Sequence, residues 1–389
     1  MKLDFYSERQ YLSNEFEEAV YDPQTGLDPV TIEKNLRKYT TENLSRPLPL
    51  VIAETFAYTL DNMRISLNPH GIFPIKVELG CKYTPDQGFS HFGKLAIERS
   101  EKYIDRNFAP DVWRRRMAAA RCGLAVPHTD QLHSRPDWED AIGLGLRGLL
   151  ERSENYRKGF AESGQLTPEK EIFFDSVKIS LEGAIRHFER LADYCASHEN
   201  VELAENLRYL AHNPPSDFYQ VLLFSILYLR LGELGYERYR SLGRIDRMYY
   251  PFYKKDIESG KITKEDAAEY LRYFLENISA ARRAACQPFC IGGIEADGSF
   301  CCNELTYMIL DVFGELKIIN PKIHVRCHPS MPDEYLSKIL DLIRNGASSL
   351  TLINDVAAIK SYERIGISAE EAAEYYPLGC YELTIPKTE

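Results

Sequence analysis

The sequence predicts an α/β fold in which a barrel or sheet of strands is enclosed by a large helical shell. The first two-thirds of the 389 residues carries apolar side chains at the three- and four-residue spacing of helices. After about residue 286 the pattern changes to short β-prone stretches, which are separated by glycine turns and alternate with helices. Strands covered by helices on both faces are typical of parallel sheets.

The helical part is predicted from four stretches. Residues 140–160 and 168–198 have one apolar face each, whereas residues 216–239 are apolar nearly all round, as in a buried helix. Residues 260–278 begin with Thr263 and Asp266 at the spacing of a capping box and continue as an amphipathic helix.

The β-prone part contains a βαβ unit. Strands are predicted at residues 322–327 and 349–355, on either side of a helix that starts near Pro332 and ends at Gly346. The side chains predicted to form the buried face of this helix are Leu336, Ile339, Leu340 and Ile343. The change from a helical to a β-prone sequence pattern at about residue 286 does not by itself require two domains.

Composition excludes several classes of function. The 47 basic and 58 acidic residues give a net charge of −11, so no nucleic-acid-binding face is expected. There is no run of 18 apolar residues and no apolar N-terminal leader, which argues against a membrane protein or an exported one. The 9 scattered cysteines, an odd number, favour reduced thiols in the cytoplasm over a disulfide framework.

The stretch "YYPLGCYELTIPKTE" at residues 375–389 carries the most informative cysteine. A short helix with Ser368 as its N-cap is predicted to end at Pro377, which places Cys380 in a tight loop just past a helix C-terminus. The negative end of that helix, together with Glu382, favours a protonated thiol and disfavours an ionic cysteine nucleophile. A neutral thiol beside a carboxylate suits hydrogen-atom exchange, with the carboxylate moving protons. The alternative is a buried structural cysteine beside a surface glutamate.

This stretch resembles the G-C-x-E loop of glycyl radical enzymes, the pyruvate formate-lyase-like superfamily. Four further stretches resemble the family in the same order: "HSRPDWEDAIGLGLRGLLE" from residue 133, "SLGRIDRMYYPFYKK" from residue 241, "IGGIEADGSFCCNELTYMIL" from residue 291 and "PKIHVRCHPSMPDEYLSKIL" from residue 321. The matches run from about residue 120 to residue 389 and together are highly specific.

The resemblance implies a fold and a set of roles. The fold is a ten-stranded α/β barrel, of which this chain is expected to hold about half, inside a large helical shell. Cys380 takes the role of the thiyl radical and Glu382 that of the general base. His133 matches the histidine that helps a substrate hydroxyl to leave, and Ser241 matches a substrate contact in dehydratases.

Three positions depart from the family pattern. Leu132 stands where the family usually has glycine, and Leu383 stands where proline is common. The loop "YERYR" before Ser241 lacks the small polar residues of several dehydratases. These departures leave the substrate more open than the radical mechanism.

The family's glycyl radical loop, R-V-x-G followed by an aromatic residue, has no match in residues 1–389. The chain is therefore expected to be an incomplete pyruvate formate-lyase-like domain that lacks the C-terminal glycyl radical domain and exposes an unpaired barrel edge. The implied cofactor is a glycyl radical outside this chain, installed by a radical SAM activating enzyme with a [4Fe-4S] cluster. The implied partners are a small-molecule substrate, that activating enzyme and a second copy of the complete enzyme.

Arg326 is a candidate for binding an anionic substrate through its guanidinium fork, with a structural salt bridge as the favoured alternative. Cys286 and Cys290 lack the paired C-x2-C spacing of a zinc site, so no metal is expected. The function that the sequence predicts is an anaerobic, cytoplasmic glycyl radical lyase that cleaves a C–O, C–N or C–C bond, with dehydration first. The alternatives are an aryl-acetate-type decarboxylase and a non-catalytic fragment or split-enzyme subunit.

Overall fold

The computed structural model of the chain describes residues 3–13, 22–68, 70–73, 75–77, 110–123, 136–234, 241–280, 288–379 and 382–386. The helices are α1 (Phe5–Ser13), α2 (Pro29–Glu42), α3 (Leu48–Asn62), α4 (Pro110–Arg121), α5 (Trp138–Glu162), α6 (Pro168–Ser197), α7 (Val201–His212), α8 (Phe218–Leu234), α9 (Ile245–Met248), α10 (Tyr250–Glu258), α11 (Lys264–Ala280), α12 (Glu304–Leu316), α13 (Asp333–Arg344), α14 (Asp355–Glu363) and α15 (Ala369–Ala373). The strands are β1 (Ile65–Leu67), β2 (Ile75–Val77), β3 (Phe289–Gly292), β4 (Ile323–Cys327), β5 (Leu350–Asn354), β6 (Tyr376–Leu378) and β7 (Glu382–Thr384).

The predicted helical shell is confirmed. Helix α8 is buried on all sides, since the consecutive residues 221–224 are each at most 1% exposed. Helix α11 begins with the predicted capping box: the Thr263 amide donates to the Asp266 carboxylate (2.9 Å), and the Asp266 amide donates to the Thr263 hydroxyl (3.1 Å). Among the described helices, none combines the length and the apolar character needed to cross a bilayer.

The sheet that positions the site is parallel and has the order β3-β4-β5. Strand β4 is central: Ile323 pairs with Phe289 on one side and with Leu350 on the other. Helix α13 connects β4 to β5, so the predicted βαβ unit is confirmed, with strand bounds within two residues of the prediction. Residues 323–326 of the central strand are fully buried, including His324 and Arg326, as expected for a parallel strand covered on both faces.

The buried face of α13 differs from the prediction. Tyr335 and Ile339 are fully buried, whereas Leu340 and Ile343 are 45% and 40% exposed. The helix is rotated relative to the prediction because the ring of Tyr335 enters the core. The Tyr335 hydroxyl approaches the Ile291 and Arg326 carbonyls at 3.4 Å.

Strand β5 lies at one end of the described sheet. Its partner is β4, and within the described ranges no strand pairs with its other edge. Leu352, in the middle of β5, is 47% exposed. An exposed strand edge with an apolar side chain is a surface of the kind that proteins normally cover.

We expect the protein to lose stability in mild acid through His187. This imidazole is buried between α6 and α3, with Nδ1 3.2 Å from the Leu60 carbonyl. Burial, helped by the nearby Arg190 charge, lowers its pKa to about 4 from 6.5. Between those values the unfolded chain binds more protons, so the free energy of unfolding should fall by up to about 3 kcal/mol as the pH drops from 6.5 to 4.

Urea unfolding at several pH values measures this effect. His187→Gln should flatten the part of the pH dependence that lies between pH 6.5 and 4. His198→Gln, at an exposed histidine just after α6, is the control and should keep the slope of the unmodified protein. A slope unchanged by His187→Gln would contradict the assignment.

Candidate active site

The predicted reactive stretch forms a β-hairpin. Strands β6 and β7 are antiparallel and pair Tyr376 with Thr384 and Leu378 with Glu382. Residues 379–381 connect the last pair, and Cys380 itself lies outside the described residues. Glu382, the predicted general base, is exposed at the first position of β7.

The hairpin replaces the helix end that the sequence predicted before Cys380. Ser368 caps α15 as predicted, accepting a hydrogen bond from the Glu371 amide at 3.1 Å. However, the helix ends at Ala373 after five residues, and Pro377 lies inside strand β6. The predicted helix end at Pro377 is therefore wrong, whereas the protonation state proposed for Cys380 stays a prediction.

The hairpin contacts the segment that follows His133. The Tyr376 hydroxyl donates to the Pro136 carbonyl at 3.4 Å, across 240 residues of sequence. His133 lies outside the described residues, three positions before Pro136. The start of α5 is thus placed beside the strand that leads to Cys380.

The segment that contains Ser241 lies in the same region. The Trp138 indole donates to the Ser241 carbonyl at 2.5 Å, and the Ser241 hydroxyl accepts from the Gly243 amide at 3.1 Å. Ser241 is fully buried. Three predicted site segments therefore meet within one network of contacts through their described residues, which are 136–138, 241–243 and 376–378.

Arg247 links these segments electrostatically and was not singled out from the sequence. Its guanidinium lies 2.6 Å from Glu374 at the root of the hairpin, 3.0 Å from Glu295 after β3 and 3.5 Å from Glu139 in α5. The carboxylates hold its pKa above the usual value despite the opposing effect of partial burial. The sequence signal that could have identified Arg247 is its position three residues after Arg244 of the G-R-x-D motif, which is the spacing of neighbours on one face of a helix.

Arg326, predicted as a substrate contact, donates only to protein groups. Its Nε and Nη2 bind the two carboxylate oxygens of Asp355 at 2.9 and 3.0 Å. The remaining N–H groups reach the carbonyls of Ala373 (2.9 Å), Tyr375 (3.2 Å) and Ile294 (3.3 Å). An arginine has five N–H donors, and this side chain is fully buried. The geometry is that of the structural salt bridge, and no N–H remains for a substrate anion.

The model of one protein family, described as pyruvate formate lyase-like, matches residues 102–389 of the chain. The chain belongs to this family. It is 30% identical over 286 residues to isethionate sulfite-lyase from Oleidesulfovibrio alaskensis, an alignment that covers 65% of this chain and 34% of that protein. It is 27% identical over 288 residues to (2S)-3-sulfopropanediol dehydratase from Klebsiella oxytoca, with 66% and 34% covered.

The fold of this pyruvate formate lyase-like chain is matched by a solved structure. A glycyl radical enzyme from Archaeoglobus fulgidus superposes with a TM-score of 0.75 at 22% identity, over 97% of this chain and 55% of that one. The predicted fold class, part of an α/β barrel with a large helical shell, is confirmed. The chain spans about a third of the length of the curated relatives and about half of the solved structure.

Three motif segments of the pyruvate formate lyase-like chain contact each other at Asp246. One oxygen of this fully buried carboxylate accepts hydrogen bonds from the Gly292 amide (2.8 Å) and the Thr306 hydroxyl (3.0 Å). The Asn303 amide group donates to the Asp246 carbonyl at 2.8 Å. The G-R-x-D, G-G and N-E-L-T segments are thus joined through one acid, which ties α9 to β3 and α12.

The cysteines of the described ranges are free thiols. Burial raises the pKa of Cys290 to about 12, which makes this thiol unreactive at neutral pH. Within the part of the chain that the structure describes, no three His, Cys, Asp or Glu side chains are grouped to hold a metal ion. Cys286, of the C-x3-C pair, lies outside that part.

Asp246 should make the free energy of unfolding depend on pH in the direction opposite to His187. Burial raises the pKa of Asp246 to about 6 from 3.8, although the Gly292 and Thr306 bonds and Arg244 act against this rise. Between those values the folded chain binds more protons than the unfolded chain. The stabilising contribution is therefore complete below pH 4 and is lost as the pH rises through 6, by about 3 kcal/mol.

The difference in unfolding free energy between Asp246→Asn and the unmodified protein isolates this effect. The amide resembles the protonated acid and can still accept from Gly292 and Thr306, so the variant should gain relative stability between pH 4 and pH 7. Asp341→Asn, at an exposed position of α13, is the control and should show little change. A difference that is constant over this pH range would exclude the role of Asp246.

Proposed function

We propose that this chain carries the thiyl half of a glycyl radical lyase, which removes water or a related leaving group from a small polar substrate. The observation that supports it most strongly is the contact of Tyr376 with Pro136 and of Trp138 with Ser241, which brings together the stretches on which His133, Ser241 and Cys380 were predicted, within a chain of the pyruvate formate lyase-like family. The two relatives described above are a sulfite-lyase and a dehydratase, at 30% and 27% identity, whereas a 4-hydroxyphenylacetate decarboxylase glycyl radical subunit from Clostridioides difficile is 25% identical; this order of identity favours elimination over decarboxylation.

The hairpin geometry fits a radical relay. Leu378 and Glu382 form the last strand pair, so only residues 379–381, with Cys380 in the middle, connect the two strands. A glycyl radical supplies a carbon-centred acceptor for the hydrogen atom of the Cys380 thiol. The proposal places that radical on a segment outside residues 1–389 and assigns its installation to a radical SAM enzyme with a [4Fe-4S] cluster.

The proposed chemistry of this chain balances in hydrogen atoms and protons. The Cys380 sulfur takes a hydrogen atom from a substrate carbon that bears a hydroxyl, and Glu382 takes the proton of that hydroxyl. His133 gives a proton to the neighbouring leaving group, which departs as water in a dehydration. The product radical then regains a hydrogen atom from Cys380. Each transfer needs reacting atoms about 3–3.5 Å apart, so positioning is the main protein contribution.

Ser241 is proposed to act through its backbone or by shaping the pocket, because its buried hydroxyl accepts from Gly243. Arg326 is left out of the substrate site, because its N–H groups bind Asp355 and backbone carbonyls. A substrate anion would need another cation. Arg247 is about one-third exposed and lies at the hairpin root, 2.6 Å from Glu374.

We also propose a domain organisation, an oligomeric state and a cellular location for the enzyme. Residues 1–389 form one incomplete pyruvate formate lyase-like domain, and the glycyl radical domain lies outside them. The complete enzyme acts as a homodimer in an anaerobic cytoplasm, where the free thiols of the described residues stay reduced. A small molecule is the substrate.

Anaerobic activation followed by electron paramagnetic resonance tests the mechanism. The protein is this chain supplied with the segment that bears the R-V-x-G motif, on the same polypeptide or as a second subunit, together with an activating enzyme. We expect a glycyl doublet, and turnover of a hydroxylated substrate from a panel of diols and sulfonates. Absence of the doublet would refute the proposed function.

Two variants separate the roles. Cys380→Ala should keep the doublet and abolish turnover, while Glu382→Gln should keep the doublet and lower kcat by about 10²-fold or more, as for loss of a general base. Cys122→Ala, at an exposed cysteine, and Glu205→Gln, at an exposed glutamate of α7, are the matched controls. Turnover retained by Cys380→Ala would contradict the assignment of the thiyl radical to Cys380.

A further inference from the structure

The hairpin is not part of the main hydrophobic core. Tyr375 and Ile385 belong to a separate small apolar cluster around Ala358 of α14, with Leu383 packed against it. The principal core contains β3, β4 and most of the helices instead. Apolar burial therefore fixes the hairpin to α14 but leaves its attachment to the central strand to other interactions.

Arg326 of β4 provides that attachment. Its guanidinium donates to the carbonyls of Ala373 and Tyr375, at 2.9 and 3.2 Å, which are the residues just before strand β6. It also lies over the Tyr375 ring, with the guanidinium carbon 4.1 Å from the ring centroid. The Tyr375 hydroxyl donates to Asp355 at 2.5 Å, and Asp355 binds the same guanidinium.

The buried charges make this arrangement specific. A guanidinium without exposure to water must have its donors satisfied, since removing one partner of a buried pair leaves an uncompensated charge away from water. Asp355 supplies the counter-charge and also accepts from the Ile294 amide at 2.8 Å. The position of residues 373–375 is therefore set by hydrogen-bond directions and not by the looser shape of an apolar contact.

Gly293 provides the space for Arg326. Its φ is 101°, and a Cβ built there would lie 2.3 Å from Arg326 Nε and 2.5 Å from the guanidinium carbon. Gly298, in the turn seven residues before Leu305, has a φ of 82° but no heavy atom within 4 Å of the corresponding Cβ. The two glycines share a left-handed backbone, and only Gly293 has the steric requirement.

We propose that Arg326 is a positioning residue, which holds the root of the Cys380–Glu382 hairpin on the central strand through Asp355, Tyr375 and the backbone at residues 373–375. The consequence for catalysis rests on the proposed function of the hairpin, whereas the anchoring does not. It follows that Arg326 contributes to hydrogen-atom transfer without contacting substrate, by fixing the strand that leads to the reactive cysteine.

Hydrogen exchange of the purified chain, followed by mass spectrometry of peptides, tests the anchoring without any radical. Arg326→Lys keeps the charge but has three donors in place of five. It should raise amide exchange in peptides from residues 373–386 by about tenfold or more, while peptides from α6 and α7 keep their rates. The rate of Cys380 alkylation should change with it, while that of Cys122 stays constant.

A glycine pair gives a second, independent arm. Gly293→Ala should reproduce the local increase, because its Cβ displaces the guanidinium, whereas Gly298→Ala should not. Where Arg326→Lys or Gly293→Ala fails to fold, Tyr375→Phe removes only the bond to Asp355 and should still speed exchange at residues 373–386 by a few-fold.

The location of the faster amide exchange distinguishes anchoring of the hairpin from general stabilisation of the fold. Faster exchange confined to the hairpin and α14 supports anchoring by Arg326. Unchanged exchange of the hairpin, or an equal increase in α6 and α7, overturns it and makes Arg326 a general stabiliser of the fold. If the unmodified complete enzyme shows no turnover while Arg326→Lys still gives the local exchange effect in the purified chain, the proposed function is refuted and the anchoring stands.

Discussion

The buried ion pair of Arg326 and Asp355 is the interaction on which the arrangement of the site depends. Arg326 lies on the central strand of the sheet, and Asp355 follows the next strand at the start of α14. Their hydrogen bonds reach the exit of β3 at Ile294 and the root of the hairpin at Tyr375. Because the carboxyl ends of parallel strands meet at one edge of a sheet, a single pair can bind three strands and the hairpin at once. A buried pair of this kind adds less to stability than to the choice of one geometry.

The family motifs are better understood as mutual contacts than as separate signatures. Asp246 of the G-R-x-D segment receives hydrogen bonds from the G-G and N-E-L-T segments. Gly293 of the G-G segment makes room for Arg326 of the V-R-x-H segment. Each motif is the partner of the next, so together they describe one polar layer around the ends of the strands. That layer carries the hairpin, which in turn carries the residues proposed to react.

The sequence predicted those parts of the fold that depend on local pattern. The βαβ unit, the buried helix α8 and the capping box of α11 all follow from periodicity and from residue preferences at helix ends. The rotation of α13 could not be predicted, because it depends on Tyr335 placing a polar hydroxyl between two strand carbonyls. The hairpin at residues 376–384 was hidden by the helical signal of the preceding alanines and glutamates, and cross-strand pairing overrode that signal. The partners of Arg326 and Arg247 lie far away in sequence, so no local pattern could choose between a substrate contact and a structural one.

A hairpin held by charges suits the chemistry proposed for it. Proton transfer can be tuned through the pKa of a group, but hydrogen-atom transfer depends chiefly on the distance and direction between the reacting atoms. An apolar cluster such as that of Ala358, Tyr375 and Ile385 excludes water, yet it tolerates small shifts of one element against another. Directed hydrogen bonds from a fully buried guanidinium tolerate such shifts far less. The structure therefore separates two tasks: the apolar cluster shields the base of the hairpin, and Arg326 fixes its direction.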